Sequence, residues 1–156
     1  MTATLLDGEL LAARIRSEVA DRVARLRSAG VTVGLGTILV GDDGPSARYV
    51  AMKHADCEEV GITSAHAHLP ADVSQEELDA TIAHFNADPA IHAYLVQLPL
   101  PAGLDEERTL LAVDPDKDVD GLHPVNLGRL VMGAGGPLPC TSAGIVELLH
   151  ANDVPF

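Results

Sequence analysis

Hydrophobic and polar positions along the chain follow two different periods, and segments of the two kinds alternate. Apolar stripes at helical spacing predict helices over residues 8–28, 46–60, 74–86, 105–112, 125–132 and 142–151. Short runs that are mostly apolar or alternating predict strands over residues 31–40, 62–69 and 93–98. Strands that alternate with helices at this spacing are typical of βαβ units. We therefore expect an α/β fold, with a parallel sheet and flanking helices.

Capping residues mark the ends of several predicted helices. Asp7 and Ser46 are the predicted N-caps of the first two helices. Ser74 and Glu77 have the spacing of a capping box at the start of the third. Gly61 is placed to end the second helix at its C′ position.

Composition limits the classes of function. At 156 residues the chain is expected to form one domain. Ten Lys and Arg against 23 Asp and Glu give a formal net charge of −13, which argues against a nucleic-acid or anionic-membrane partner. No apolar run reaches about 18 residues, and acids near the N-terminus argue against a signal peptide. Cys57 and Cys140 lie far apart, so we expect two buried thiols in a reducing, cytoplasmic compartment.

The stretch from residue 41 to 61 carries the first candidate chemistry. Tyr49 and Lys53 are four residues apart and lie on one face of the predicted helix. A partly desolvated lysine beside a tyrosine can exchange protons near neutral pH. The alternative is a surface lysine with a core tyrosine, which is the commoner explanation for an isolated pair of this kind.

Two other polar segments follow the third predicted strand. Gln97 ends that strand, either as a satisfied edge residue or as a side chain aimed at a ligand. Residues 116–121 match the first half of an EF-hand calcium loop, but Leu127 stands where a bidentate Glu is needed, so calcium is not favoured. A turn that offers one carboxylate to N–H groups of a ligand fits better, and a solvated acidic turn is the alternative.

The histidine and glycine patterns do not indicate a zinc site, a phosphate-binding loop or a nucleophile elbow. His66 and His68 project from the same side of a predicted strand, but no third ligand accompanies them, so surface histidines are favoured over a zinc site. The sequence contains no G-x-G-x-x-G turn opening a helix, no G-x-x-x-x-G-K-[ST] loop and no G-x-S-x-G elbow.

Four blocks, in a fixed order and with fitting intervals, carry a more specific signal. They are VGDDGPSARYVAMKHADCEEVGI (40–62), YLVQLPLP (94–101), DPDKDVDGLHPVNLGRL (114–130) and PLPCTSAGIVELL (137–149). Through these blocks the chain resembles, over essentially its whole length, the N-terminal domain of the bifunctional methylenetetrahydrofolate dehydrogenase/cyclohydrolase family. The resemblance implies an amino-acid-dehydrogenase-like N-terminal fold.

The resemblance also implies catalytic roles for three side chains. Lys53 matches the catalytic lysine of the family, and Gln97 matches the glutamine that hydrogen-bonds and tunes it. Tyr49 matches the tyrosine that packs on the pterin ring and helps to position it.

Other positions are implied to bind substrate or cofactor. Asp120 matches the carboxylate that holds the amino and ring N–H groups of the pterin, and Leu98 and Pro99 would line the folate pocket. Thr141 resembles the residue near the nicotinamide of NADP. No metal is implied.

The implied chemistry belongs to one-carbon metabolism, which supplies purine biosynthesis. It is the oxidation of 5,10-methylenetetrahydrofolate by NADP and the hydrolysis of the methenyl product to 10-formyltetrahydrofolate, in an enzyme that is a homodimer when intact. Because the dinucleotide-binding turn is missing, we expect residues 1–156 to be the folate-binding catalytic domain without the Rossmann NADP domain. Such a chain should lack dehydrogenase activity and retain at most weak folate binding and residual cyclohydrolase activity.

Two local departures from the family pattern are visible. Ser142 stands where proline is usual, and the order Gly44-Pro45 replaces the usual Asp-Pro. The first is expected to loosen the start of the last helix, and the second to reshape the loop near Ser46. The glutamate tail of a folate would have to be bound by local groups such as Arg48 or Arg129, because the overall charge repels it.

Three alternatives remain from the sequence. A short-chain dehydrogenase also uses Tyr-x-x-x-Lys, but it needs a glycine-rich turn before Tyr49, which is missing. An inactive folate-binding or interaction module would keep the pocket without turnover. A calcium-binding loop protein is the third.

Overall fold

The computed structural model describes residues 5–155, and within them a three-stranded parallel sheet is surrounded by helices. The strands are β1 (Gly34–Val40), β2 (Thr63–Leu69) and β3 (Ala93–Val96), in the spatial order β2-β1-β3. The helices are α1 (Gly8–Ser28), α2 (Gly44–Val60), α3 (Gln75–Ala87), α4 (Glu106–Ala112), α5 (Pro124–Val131) and α6 (Cys140–Ala151). The predicted parallel α/β architecture is confirmed.

The sheet is buried around its central strand. β1 pairs in parallel with β2 through Gly34↔Thr63 to Val40↔Leu69, and with β3 through Leu35↔Ala93 to Ile38↔Val96. On one face lies the main core, which consists of Ile38, Val40, Val73, Leu78, Ile82, Phe85, Ile91, Tyr94, Val96, Leu100 and Val113. α2 packs against β1 and β2, and α1 packs against α2. Burial of these aliphatic side chains is the dominant force holding the layers together.

Close packing of Phe85 and Tyr94 against the central strand requires a glycine at position 36. A Cβ added at Gly36 would lie 2.8 Å from atoms of both Phe85 and Tyr94. The missing side chain therefore lets the rings of α3 and β3 close over the central strand.

Most of the predicted helix ends are confirmed. The Asp7 carboxylate accepts a hydrogen bond from Leu10 N at 2.9 Å, and both bonds of the Ser74–Glu77 capping box are present. Gly61 ends α2 in the left-handed region at φ +80°, where glycine carries no steric penalty.

Ser46 is not the cap of α2, so that prediction is wrong. The helix begins earlier, and the Asp43 carboxylate accepts the hydrogen bond from Ser46 N at 2.9 Å. Pro45 lies in the first turn, where its missing N–H costs nothing.

Several other predicted bounds shift by a few residues. β1 begins at Gly34 instead of residue 31, and α6 begins at Cys140 instead of residue 142. β3 ends at Val96, so Gln97 follows the strand, although its backbone N–H still donates to Ile38 O at 2.8 Å.

The predicted apolar stripe of α1 is only partly buried. Leu11 and Val23 are buried, whereas Leu10, Ile15 and Leu26 are exposed. Among the helices of residues 5–155, none is long and apolar enough to cross a membrane.

Candidate active site

The α2 helix, which follows β1, carries the predicted Tyr49–Lys53 pair in its middle part. Tyr49 is 60% exposed and Lys53 is half-buried. The alternative of a core tyrosine beside a surface lysine is therefore wrong, because the phenol ring lies in solvent and the lysine is the more enclosed of the two. A solvent-facing aromatic ring offers an apolar surface for a ligand to stack on.

Gln97 contacts Lys53 directly. Lys53 Nζ donates to Gln97 Oε1 at 3.1 Å, which joins α2 to the end of β3. The amide N–H of Gln97 donates to Leu98 O at 2.8 Å, and this second bond turns the amide oxygen towards the ammonium. The Leu98–Pro99 peptide that follows is cis.

The acidic loop is fixed beside β3 by backbone pairing. Tyr94 N donates to Lys117 O at 2.8 Å and Val119 N donates to Tyr94 O at 3.4 Å, which forms a parallel bridge between Tyr94 and Asp118. This pairing brings the next acid, Asp120, to the same end of the sheet as Gln97.

Asp120 lies in the electrostatic field of Lys53. Partial burial raises the pKa of the Asp120 carboxyl, the positive charge of Lys53 lowers it, and the charge of Asp118 raises it again. A half-buried carboxylate beside an ammonium is suited to hold a ligand that offers N–H groups.

Cys140 also faces this group, and here the sequence expectation is wrong. Cys57 is buried as expected, but Cys140 is exposed at the start of α6, and both cysteines are free. Its Sγ donates to Val119 O at 3.3 Å. Partial burial of the thiol, followed by the negative charge of Asp120, raises the pKa of Cys140, while Lys53 opposes the shift.

The remaining predicted site residues lie around this centre. Leu98 is half-buried and packs against the main core, whereas Pro99 is exposed beside it. Thr141 follows Cys140 and is exposed. The structure thus brings Lys53, Gln97 and Asp120 together, with the other residues on the adjoining surface.

The two acids of the loop have different surroundings. Asp118 is 6% exposed, and its carboxylate accepts hydrogen bonds from Leu122 N, His123 N and Asn126 Nδ2 at 3.3, 2.9 and 2.9 Å. The third EF-hand position therefore faces the protein interior, which does not suit a calcium loop. This role of Asp118 was not predicted, and the sequence feature that could indicate it is Asn126, eight residues after the acid.

Metal ligands do not cluster in the described part of the chain. Residues 5–155 contain no group of three or more His, Cys, Asp or Glu side chains that could hold a metal ion. His66 and His68 are exposed, and they bond Thr37 Oγ1 at 2.8 Å and Gly41 O at 2.9 Å.

The turns after the strands do not fit a dinucleotide phosphate. After β1, the Asp43 carboxylate occupies the start of α2. After β2, Glu77 and Ser74 occupy the start of α3, and after β3 the Asp105 carboxylate accepts from Arg108 N. Anionic phosphate would meet a carboxylate at each of these helix ends, where nucleotide-binding proteins leave free N–H groups.

Comparison with known proteins agrees with this geometry. Residues 6–120 match the family described as tetrahydrofolate dehydrogenase/cyclohydrolase, catalytic domain. The chain belongs to this family. The matched segment of the tetrahydrofolate dehydrogenase/cyclohydrolase domain includes Tyr49, Lys53, Gln97 and Asp120.

Solved structures of this family share the fold. A bifunctional FolD methylenetetrahydrofolate dehydrogenase/cyclohydrolase from Campylobacter jejuni is 43% identical, with a TM-score of 0.94 over 97% of this chain and 54% of that one. The Trypanosoma brucei methylenetetrahydrofolate dehydrogenase-cyclohydrolase, in complex with NADP and an inhibitor, is 36% identical, with a TM-score of 0.93 over 99% and 54% of the two chains. The chain spans about half the length of these relatives.

Proposed function

We propose that this chain is the folate-binding, catalytic half of a bifunctional methylenetetrahydrofolate dehydrogenase/cyclohydrolase. The observation that carries the proposal is the 3.1 Å hydrogen bond from Lys53 Nζ to Gln97 Oε1, made within the electrostatic reach of Asp120. A lysine held in this way has a fixed direction for proton transfer, and a free surface lysine does not.

Folate recognition follows from the groups around Lys53. The Asp120 carboxylate accepts hydrogen bonds from the amino and ring N–H groups of the pterin, in the planar geometry that carboxylates favour. The exposed ring of Tyr49 packs on the flat face of the pterin, and Leu98 and Pro99 line the pocket.

Hydrolysis of the methenyl form requires proton transfers that Lys53 can perform. The methenyl carbon is part of a cationic iminium, so water adds to it and loses a proton to Lys53, which acts at this step in its neutral amine form. Lys53 then returns this proton to the departing ring nitrogen as the ring C–N bond breaks. As the C–N bond breaks, the hydroxyl left by the added water loses its proton to solvent and becomes the formyl C=O, so one proton is released overall and 10-formyltetrahydrofolate is formed. Gln97 keeps the amine in place throughout.

The dehydrogenase half of the reaction needs NADP, and the described residues offer that cofactor little. The helix ends after the three strands carry carboxylates and do not fit its pyrophosphate. Thr141 is exposed at the start of α6, and we place it beside the nicotinamide when a partner domain supplies the rest of the NADP site.

The compartment, the oligomeric state and the pathway of the intact enzyme are proposed from the family resemblance, and the class of partner from the net charge. The intact enzyme would be a cytoplasmic homodimer that supplies purine biosynthesis. A net charge of −13 gives no support to a nucleic-acid partner.

Replacement of Lys53 tests the proposal. We expect Lys53→Ala to lower the rate of methenyltetrahydrofolate hydrolysis by at least about a hundredfold, the usual contribution of a positioned proton carrier. Met52→Ala, at an exposed position next to it on α2, is the matched control and should keep the wild-type rate. Hydrolysis is measured for both, with and without a separately supplied NADP domain of a relative.

Two outcomes separate the alternatives. Equal hydrolysis by Lys53→Ala and Met52→Ala would show that Lys53 is not the proton carrier. A wild-type chain that binds folate, never hydrolyses the methenyl form and keeps its affinity after Lys53→Ala would be the inactive binding module.

A further inference from the structure

Asp118 is a buried carboxylate that the proposed reaction does not use. It is 6% exposed and lies two residues before Asp120. Both of its oxygens accept hydrogen bonds, Oδ1 from Leu122 N, and Oδ2 from His123 N and Asn126 Nδ2. Burying a carboxylate costs free energy unless its oxygens accept hydrogen bonds. The three donors must therefore stay close to Asp118, and this requirement fixes the backbone of the turn that contains Leu122 and His123.

The chain is also fixed on the other side of Asp120. Lys117 Nζ donates to Phe85 O at 3.1 Å and to Asp88 O at 2.8 Å, which ties the loop to the end of α3. The backbone bridge to Tyr94 holds residues 117–119 beside β3. Asp120 therefore lies on a short span between two anchored segments.

The residue after Asp120 adds a further constraint. Gly121 has φ +66°, and a Cβ there would lie 2.4 Å from the backbone carbon of Leu138. The turn is thus packed tightly against the connector that leads to α6.

Asp120 has no such support of its own. Among the hydrogen bonds between described residues, none uses its carboxylate, so its direction depends on the backbone that carries it. The charged or titratable groups that act on it are Lys53 from α2, Asp118 in the same loop and Cys140 from α6.

We propose that Asp118 is a positioning residue, which holds the turn so that the Asp120 carboxylate faces Lys53 and is ready for the pterin. This inference rests on the proposed folate-binding function. An amide in place of Asp118 presents one acceptor oxygen, with two lone pairs, and an NH₂ group that only donates, so it cannot satisfy three N–H groups. The turn would then rearrange, and Asp120 would lose its fixed direction.

Asp118→Asn tests the inference, with Asp116→Asn as the matched control. The Asp116 side chain is 80% exposed and lies 3.5 Å from Arg129 Nη1, so its substitution leaves the turn intact. We expect Asp118→Asn to raise KM for methenyltetrahydrofolate at least about tenfold, with a smaller change in kcat, because it disturbs hydrogen bonds to a buried charge. Asp116→Asn should leave KM unchanged.

The pH dependence of kcat/KM gives a readout that simple destabilisation does not move. Turning Asp120 away from Lys53 removes the influence that lowers the pKa of its carboxyl, and this influence is larger than the raising influence of the Asp118 charge, which the substitution also removes. The acid limb of the profile should therefore move to higher pH in Asp118→Asn and stay in place in Asp116→Asn. A move to lower pH in Asp118→Asn would show that the charge was lost without displacing Asp120, and would contradict the positioning role.

A second variant keeps the test decisive if Asp118→Asn does not fold. Asn126→Ser removes one of the three donors and leaves the charge of Asp118, so KM should rise and the acid limb should again move to higher pH. Unchanged KM in Asn126→Ser, or lower stability of Asp118→Asn with wild-type KM and pH profile, would overturn the positioning role. A wild-type chain that neither binds nor hydrolyses the folate would instead overturn the proposed function itself.

Discussion

Gln97→Met tests the contribution of the Gln97 side-chain amide to the candidate site. The substitution keeps a side chain of similar length and removes both the oxygen that accepts from Lys53 Nζ at 3.1 Å and the N–H that donates to Leu98 O at 2.8 Å. A hydrogen bond to a charged group is worth about 1.5–3 kcal/mol. Because Lys53 and Gln97 are only half-buried, we take the lower end of that range. Each 1.4 kcal/mol corresponds to a factor of about ten, so kcat for methenyltetrahydrofolate hydrolysis should fall about tenfold.

The control is the same substitution at another half-buried glutamine. Gln75 Nε2 donates to Asp79 Oδ1 at 2.8 Å and to Thr109 Oγ1 at 3.3 Å, far along the chain from the candidate site. Gln75→Met should lower thermal stability and leave kcat unchanged. If folded Gln97→Met keeps kcat within about twofold of the wild type, the assigned role of the amide is refuted.

Two further predictions concern the folded state. Gly121→Ala should lower the free energy of unfolding by more than about 2 kcal/mol in denaturant titrations, because it combines a positive φ with a Cβ 2.4 Å from the backbone of Leu138. The control is Gly128→Ala, inside α5, where the added methyl group meets open space. It should raise the free energy of unfolding by up to about 1 kcal/mol. Partial burial and then the neighbouring His54 lower the pKa of His66, so the unfolded chain binds more protons and stability should fall as the pH drops below about 6.5. His66→Asn should flatten that slope in thermal scans, and an unchanged slope would contradict the assignment.

Two of the three predicted N-caps are confirmed. Asp7 and the Ser74–Glu77 pair both form the predicted bonds. Before α2, Asp43 forms the cap in place of the predicted Ser46. Pro45 decides between them, since a proline fits the first turn of a helix that has already begun.

The tertiary contacts of Asp118 and Asp120 in the acidic loop could not be predicted from the sequence. Asp118 and Asp120 have the same residue type and lie two positions apart, so local pattern gives them equal roles. Their difference comes from tertiary contacts, since Asn126 Nδ2 reaches one carboxylate and the field of Lys53 reaches the other. Cys140 was misjudged for the same reason, because its exposure depends on where α6 begins.

The position of the candidate site follows from the order of the strands. β1 leads through α2 to β2 on one side, and the chain then returns through α3 to β3 on the other side of β1. Connections that leave neighbouring strands in opposite directions open a crevice beyond their carboxyl ends, where ligands bind in α/β sheets. Lys53 reaches this crevice from the helix after β1, and Gln97 reaches it from the end of β3. The acidic loop pairs with β3 and delivers Asp120 to the same place. The hydrogen bond between Lys53 and Gln97 therefore spans the switch point of the sheet, so a change that displaces either α2 or β3 should impair the site even when every side chain in it is retained.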